Sequence, residues 1–558
     1  MQPPATPNLW TLRLWAIGLI VVSAVLMFAT EPRLSIVWDE GYTLGREARV
    51  RLWFRALRDP SAFAKSWTPP TRELVQPDSI LLDAPRSDQI DTRAKLFAPN
   101  VLAWFWPFAR EEPHGHPPFY ALLGLVGDFV APGLPDLPRA RVGPILAFSL
   151  LSGAIFLFLA KRWGWCAGFA GAGSWLLQPN LFAHAHYAAY DAPLTCLWVA
   201  AILAFAKAIE PVGPAMRRPR IAWALLFGVL CGWAADTKLT GWFLPIPFLV
   251  WAAIYRDRKA FQTLLIGGLV GVLTLYAFNP GWWAAPIGGV DRFLRSNLTR
   301  GKTIVIEVMF LGKVYKTPNE SLPVYNTLLW TLFVTPVGLL ALALVGAWRS
   351  LRLAKSEPFG LLVLGHWVFL LLLRSLPKTP GHDGVRLFLP AFGMLALSAG
   401  LGAAEVVRRW PKSGRWVIGG ILAAAGVSLA LSMPVPLSYY SPMVGGLRGA
   451  TKLGMEPTYY WDALNDDALN WLNAHTPPGG KVRFATYPSS WLYLKDSGRL
   501  KPGILPSDLG TWTWYVVQNR PGAMTPSDRE IVAKVKPAYV VEKFGVPLIW
   551  IFPDPLAQ

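Results

Sequence analysis

Residues 14–42 read LWAIGLIVVSAVLMFATEPRLSIVWDEGY. Leu14 to Ala29 carries no charge, and Glu31-Pro32-Arg33 follows it without a small-residue cleavage site, so the stretch predicts an uncleaved membrane span, not a removable leader. A few residues later, Ile36-Val37-Trp38-Asp39-Glu40-Gly41-Tyr42 places two adjacent carboxylates at the edge of hydrocarbon, where they are costly unless they face water, a metal or a partner. A solvated turn after a helix would also carry such a pair.

Apolar runs of nearly span length recur from Leu14 to Met433, each close to the roughly 20 residues that cross a hydrocarbon core about 30 Å thick. In the 558-residue chain, 53% of residues are hydrophobic, 16% are charged and 28 are Trp, which excludes an ordinary soluble domain. The formal charge of +19 is dispersed between apolar runs instead of forming one patch, which argues against nucleic acid as a partner. Cys166, Cys196 and Cys231 lie in or beside apolar runs without paired or metal-ligand spacing.

Basic clusters in short loops mark the cytoplasmic side. They are Lys161-Arg162, Arg217-Arg218 with Arg220, Arg256 with Arg258-Lys259, Arg349 to Lys355, and Arg408 to Arg415. Apolar segments at about 166–183, 193–209, 221–236, 240–255, 261–278, 327–347, 358–374, 386–402 and 416–433 pair off between them. With 142–160 and 10–30 these predict about eleven transmembrane helices, a cytoplasmic N-terminus and an external C-terminus. The stretch from Pro117 to Val130 opens with Pro117-Pro118 and is too short to span, so it reads as an interfacial or re-entrant helix.

The expected organisation is a transmembrane domain over 1–433, with external loops at 31–141 and 279–326, and a small external α/β domain over 434–558. In the latter, Lys481 to Thr486 and Ala538 to Glu542 read as strands, and the stretches around Asp462 to Asn473 and Ser527 to Lys536 as helices.

Further chemistry-bearing residues fall on the external side: His114-Gly115-His116-Pro117-Pro118, Arg139 and Arg141, His184 with His186, Asp191-Ala192-Pro193, Asp236-Thr237-Lys238, and His382-Asp383-Gly384-Val385-Arg386. One at a time these read as helix caps, interfacial histidines, a snorkelling lysine or a helix-end anchor. Together, carboxylates and cations on one membrane face suit a site that binds a phosphate and activates a hydroxyl. His184 and His186 are candidate metal ligands on weak evidence, an i, i+2 pair, since surface histidines are commoner.

The ordered set Trp38-Asp39-Glu40, His116-Pro117-Pro118, Asp191-Ala192-Pro193-Leu194, Lys238-Leu239-Thr240-Gly241 and Arg386 with Pro390 resembles the GT-C superfamily of membrane glycosyltransferases. Within it the set is similar to the bacterial branch related to protein O-mannosyltransferases and aminoarabinose lipid A transferases. Asn279-Pro280-Gly281-Trp282-Trp283, Leu311 to Tyr315 and Leu322 to Tyr325 are similar to a long external loop in these relatives; an interfacial aromatic belt is the alternative. His116 stands where the lipid A transferases carry a Lys, which favours the mannosyltransferase-like side, but no soluble domain like the one used for protein O-mannosyl acceptors is evident, so the acceptor class is open.

The resemblance implies a polyprenyl-phosphate-linked sugar as donor, membrane lipid as surroundings, a hydroxyl or phosphate of an unidentified glycan, lipid or protein as acceptor, and a bacterial inner-membrane location with an external site. It implies Asp39 and Glu40 as catalytic residues, Asp39 as general base, and inversion at the anomeric carbon. His116, Arg141, Asp191, Lys238, His382 and Arg386 are the implied substrate-binding residues, with Lys238 and Arg386 stabilising the departing phosphate. A divalent metal ion is a candidate cofactor, with Asp39, Asp191 and His186 as candidate ligands. The competing readings are a polytopic transporter and a lipid-linked polysaccharide ligase or polymerase.

Overall fold

The structure, a computed structural model, describes residues 8–70, 83–110, 115–210, 218–303, 305–507 and 510–554. His114 and Arg217 lie outside the described residues.

Each of the eleven apolar segments is helical. Among the described residues seven helices are long and apolar enough to cross a membrane: the one starting at Leu9, Asp136–Trp163, Asp191–Ile209, Arg258–Ala277, Pro358–Ser375, Pro390–Arg409 and Gly414–Ser432. The chain is an integral membrane protein. The other four segments are shorter or broken, and proline is the reason in three of them. Trp165–Leu176 stops before Pro179, where a second helix, Pro179–His186, begins. Asn326–Val334 stops before Pro336 and resumes as Val337–Arg352. Pro245–Tyr255 is preceded by the tight turn Leu239–Phe243, and Ile221–Ala235 ends at Asp236.

Pro390–Arg409 runs through the centre of the bundle with most of its side chains buried. Val337–Arg352 packs on it at two glycines: a methyl group on Gly346 would strike the Ser398 carbonyl, and one on Gly402 the Leu342 carbonyl. Small residues are what allow membrane helices to approach this closely. At the periphery Leu265, Leu269 and Leu273 form an exposed stripe on Arg258–Ala277, the apolar face expected toward lipid.

The basic clusters gather at one end of the bundle. Arg162 and Arg220 both pair with Glu210, Arg349 pairs with Glu357 and Glu405, and the Trp163 indole donates to Glu357. Helix direction puts Asp39, Arg141, Asp191 and Arg386 at the opposite end. There the first long loop folds as Trp38–Arg58, Pro60–Ser66, Arg93–Leu96 and Pro99–Phe105 around Trp53, Leu96, Trp104 and Phe105. The stretch expected as one short helix after Pro117-Pro118 is two, Phe119–Gly124 and Val126–Val130. Asp128 of the second takes both Arg51 and Arg139.

The second long loop contributes the helix Pro286–Thr303 and a hairpin of β1 (Ile306–Phe310) and β2 (Lys313–Thr317). Beyond the last apolar helix comes a five-stranded mixed sheet of β3 (Lys481–Phe484), β4 (Leu505–Pro506), β5 (Trp514–Gln518), β6 (Tyr539–Lys543) and β7 (Val546–Pro553), in the order β4-β3-β5-β7-β6. Strands β3, β4 and β5 pair in parallel, and β5, β7 and β6 antiparallel. The helices Asp466–His475, Trp491–Asp496 and Pro526–Lys534 accompany the sheet. This region is the small α/β unit expected at the C-terminal end.

Candidate active site

Four helix starts and ends bring the charged residues together. Trp38–Arg58 carries Asp39 in its first turn, Asp191–Ile209 opens with Asp191, Lys238 follows Ile221–Ala235, and Arg386 begins the turn that leads into Pro390–Arg409. Arg386 is the hub. Its Nη1 lies 2.7 Å from Asp39 Oδ2, 3.3 Å from Asp191 Oδ2 and 3.2 Å from the Tyr190 hydroxyl, and its Nη2 lies 2.8 Å from Asp383 Oδ2. Lys238 Nζ reaches Asp191 Oδ1 at 2.6 Å. The Tyr460 hydroxyl donates to Asp39 Oδ2 at 2.7 Å.

The aromatic rings complete the cage. Arg386 sits over the Tyr460 ring at 4.7 Å and Lys238 over the Tyr190 ring at 4.8 Å, both within cation–π range. His116 packs on Tyr190 with ring centroids 3.9 Å apart.

These groups border a cavity of about 540 Å³ lined by Asp39, His116, Tyr190, His382, Asp383, Arg386 and Tyr460 from the bundle end, and by Gln518, Arg520 and Asp528 from the C-terminal region. Asp191 and Lys238 stand behind Arg386, outside that lining. Burial pushes the Lys238 ammonium down to about 8 against the pull of Asp191. Burial works the other way on Asp383, but Arg386 and Arg520 outweigh it and hold the carboxyl below its usual range.

Residues 134–283 match the family model described as dolichyl-phosphate-mannose-protein mannosyltransferase. The structure is similar to that of ArnT from Cupriavidus metallidurans bound to undecaprenyl phosphate. The TM-score is 0.53 at 14% sequence identity, covering 96% of this chain and 98% of that one. The chain has the GT-C fold. The apo state of the same ArnT matches with a TM-score of 0.51 at 15% identity, covering 96% and 97%. No curated protein matches the sequence. The resemblance to GT-C membrane glycosyltransferases drawn from the ordered motifs is borne out by this fold and by the family match.

Three of the sequence-predicted residues, Glu40, Arg141 and His186, lie outside both the cavity lining and the cluster around Arg386. Glu40 and Arg141 form a pair with neither side chain exposed: Arg141 Nε and Nη2 reach the two Glu40 oxygens at 2.8 and 2.7 Å. Arg141 also binds Glu31 and the carbonyls of Leu34 and Ser35, while Glu40 accepts from the Val37 and Ala188 amides. Their hydrogen-bonding capacity is spent on fixing the start of Trp38–Arg58, in the manner of a capping box. His186 is buried against the Met27 and Phe182 carbonyls and the Thr30 hydroxyl.

The candidate metal set of Asp39, Asp191 and His186 is therefore not assembled. Both carboxylates are engaged by Arg386, Asp191 also by Lys238, and His186 faces elsewhere, so the donor set does not suit a divalent cation. Among the described residues no other group of three or more His, Cys, Asp or Glu forms one.

Sequence reasoning missed Tyr190, Tyr460 and Arg520, and gave Asp383 no role beyond its place in the motif around Arg386. Tyr190 and Asp383 adjoin residues that it singled out, so proximity to those motifs was the available signal. Tyr460 and Trp461 follow one another with φ of 70° and 64°, a left-handed conformation that costs non-glycine residues free energy and clusters at functional sites. The Tyr460 carbonyl accepts from the Trp38 amide at 3.0 Å, and the Ser489 hydroxyl donates to the Trp38 carbonyl. The C-terminal region thus grips the residue before Asp39. Gly384, with φ of 61°, permits the close approach of Tyr459, whose hydroxyl a methyl group there would strike.

Proposed function

We propose that the chain is a glycosyltransferase that moves a sugar from a polyprenyl-phosphate carrier to an acceptor on the outer face of a bacterial inner membrane. The observation that carries the reading is the Asp39–Arg386 pair at the cavity wall, a carboxylate and a fixed cation side by side at the end of the bundle opposite the basic loops. Basic loops face the cytoplasm, so the cavity faces out. The GT-C fold, and the undecaprenyl phosphate bound by ArnT, support a polyprenyl carrier.

In the proposed reaction an acceptor hydroxyl oxygen attacks the anomeric carbon and the bond from that carbon to the carrier phosphate breaks. The bonding pair leaves with the phosphate, and the acceptor proton passes to Asp39. Arg386 stabilises charge on the departing phosphate, and Lys238 adds its charge from behind through Asp191. Asp191 positions both cations, and His116 and His382 border the sugar. Glu40 and Arg141 act as positioning residues by holding the Asp39 turn. Direct displacement inverts the anomeric centre, so NMR of the product glycoside formed from envelope acceptors is expected to show inverted configuration. Retained configuration would contradict direct attack.

Two smaller consequences follow from the same geometry. Lys238 carries its charge below about 8 and loses it above. Turnover is therefore expected to fall as pH rises through about 8, and Lys238→Arg, charged throughout, is expected to carry that loss to higher pH. A profile that stays flat well above that value would show that the Lys238 charge is dispensable. Tyr460→Phe removes a hydrogen bond to a carboxylate worth about 1.5–3 kcal/mol. Turnover is expected to fall by roughly 10–100-fold with donor affinity kept, measured as kcat and KM separately.

A further inference from the structure

Part of the cavity wall comes from the C-terminal region. Strand β5 ends at Gln518, and Arg520 follows after one residue; both line the cavity. Gln518 is 8% exposed. Its Nε2 and the Nη2 of Arg520 are buried donors without a hydrogen-bond partner among the described residues. Buried donors in native structures are nearly always satisfied, so two of them beside one cavity point to a ligand oxygen.

The local charges set what that oxygen belongs to. Arg520 Nη1 lies 3.1 Å from Asp383 Oδ1, and the other oxygen of Asp383 is held by Arg386. One carboxylate is thus shared between two guanidiniums. The second carboxylate near Arg520 is Glu456, at 3.5 Å from its Nε, and burial pushes that group up to about 7. The remaining face of Arg520 and the Gln518 amide are both donors, a pairing that suits an oxyanion.

We propose that Gln518 and Arg520 form an acceptor subsite that recognises a phosphate or carboxylate group on the acceptor, while the acceptor hydroxyl lies at Asp39. The inference rests on the transferase reading and adds to it the chemical class of the acceptor. It also gives the C-terminal region a role in substrate selection.

The test uses the full chain in lipid nanodiscs saturated with undecaprenyl phosphate, so that the carrier site is filled. Binding of sn-glycerol 3-phosphate and of glycerol is followed by saturation-transfer NMR. The wild type is expected to prefer the phosphate compound by about tenfold or more, and Gln518→Leu and Arg520→Gln to lose that preference. Arg520→Gln also removes a partner of Asp383, so Gln518→Leu, which breaks no bond within the protein, carries the decision. Equal affinities in the wild type, or a preference that survives Gln518→Leu, would overturn the subsite. Turnover of a polyprenyl-phosphate sugar is scored separately: its absence with phosphate preference intact overturns the transferase reading and leaves an oxyanion site.

Discussion

Asp39→Asn is expected to lower sugar transfer by about 10²–10⁴-fold, the range for removing a positioned general base, with carrier binding retained. Asparagine keeps the shape of the side chain and can still accept from the Tyr460 hydroxyl, so the cavity persists. It cannot take the acceptor proton, and it no longer offers Arg386 a charge. Arg386 keeps Asp191 and Asp383 as partners, so the cation stays in place and the phosphate is still met. The checks are initial rates of polyprenyl phosphate release for both proteins and carrier binding by native mass spectrometry. Full activity in Asp39→Asn would move the base to another carboxylate of the cavity, Asp383 first.

Arg141→Met is expected to cost about 3–5 kcal/mol of stability, the penalty for leaving a buried charge without its partner. Arg141 is fully buried and is the cation facing both Glu40 and Glu31. The expected readout is a marked fall in the unfolding temperature in detergent, with activity lost alongside. Adding Glu40→Leu is expected to restore the stability in part only, because the Val37 and Ala188 amides would lose their acceptor. Unchanged stability with lost turnover in Arg141→Met would instead return Arg141 to the substrate-binding role that the sequence suggested.

The contrast between these two pairs explains what the sequence could convey. The apolar runs, the basic loops and the carboxylates following the first span were legible because membrane insertion imposes a strong pattern on composition. Asp39, Asp191, Lys238 and Arg386 were legible as charges close to hydrocarbon on one side of the membrane. The same signal raised Glu40 and Arg141, since a buried ion pair and a catalytic group look alike in a sequence; only the geometry shows that one pair fixes a helix start and the other borders a cavity.

His186 was ambiguous for the same reason, and its hydrogen bonds to carbonyls settle it as a packed side chain. The C-terminal contribution was not legible at all. Tyr460 reaches Asp39 across 421 positions of chain, and Arg520 reaches Asp383 from the loop after β5. Nothing in local spacing encodes either contact. Strands β5 and β7 were missed as well, because their buried central positions suppress the alternation that marks a half-exposed strand.

The most direct measurement is release of free polyprenyl phosphate by the wild-type protein in lipid nanodiscs, supplied with a panel of polyprenyl-phosphate sugars and crude envelope lipids and proteins as acceptors. The account predicts that at least one donor is consumed, with its sugar recovered on an envelope acceptor and no release from empty nanodiscs. Folded protein that neither binds nor consumes any donor across the panel would contradict it.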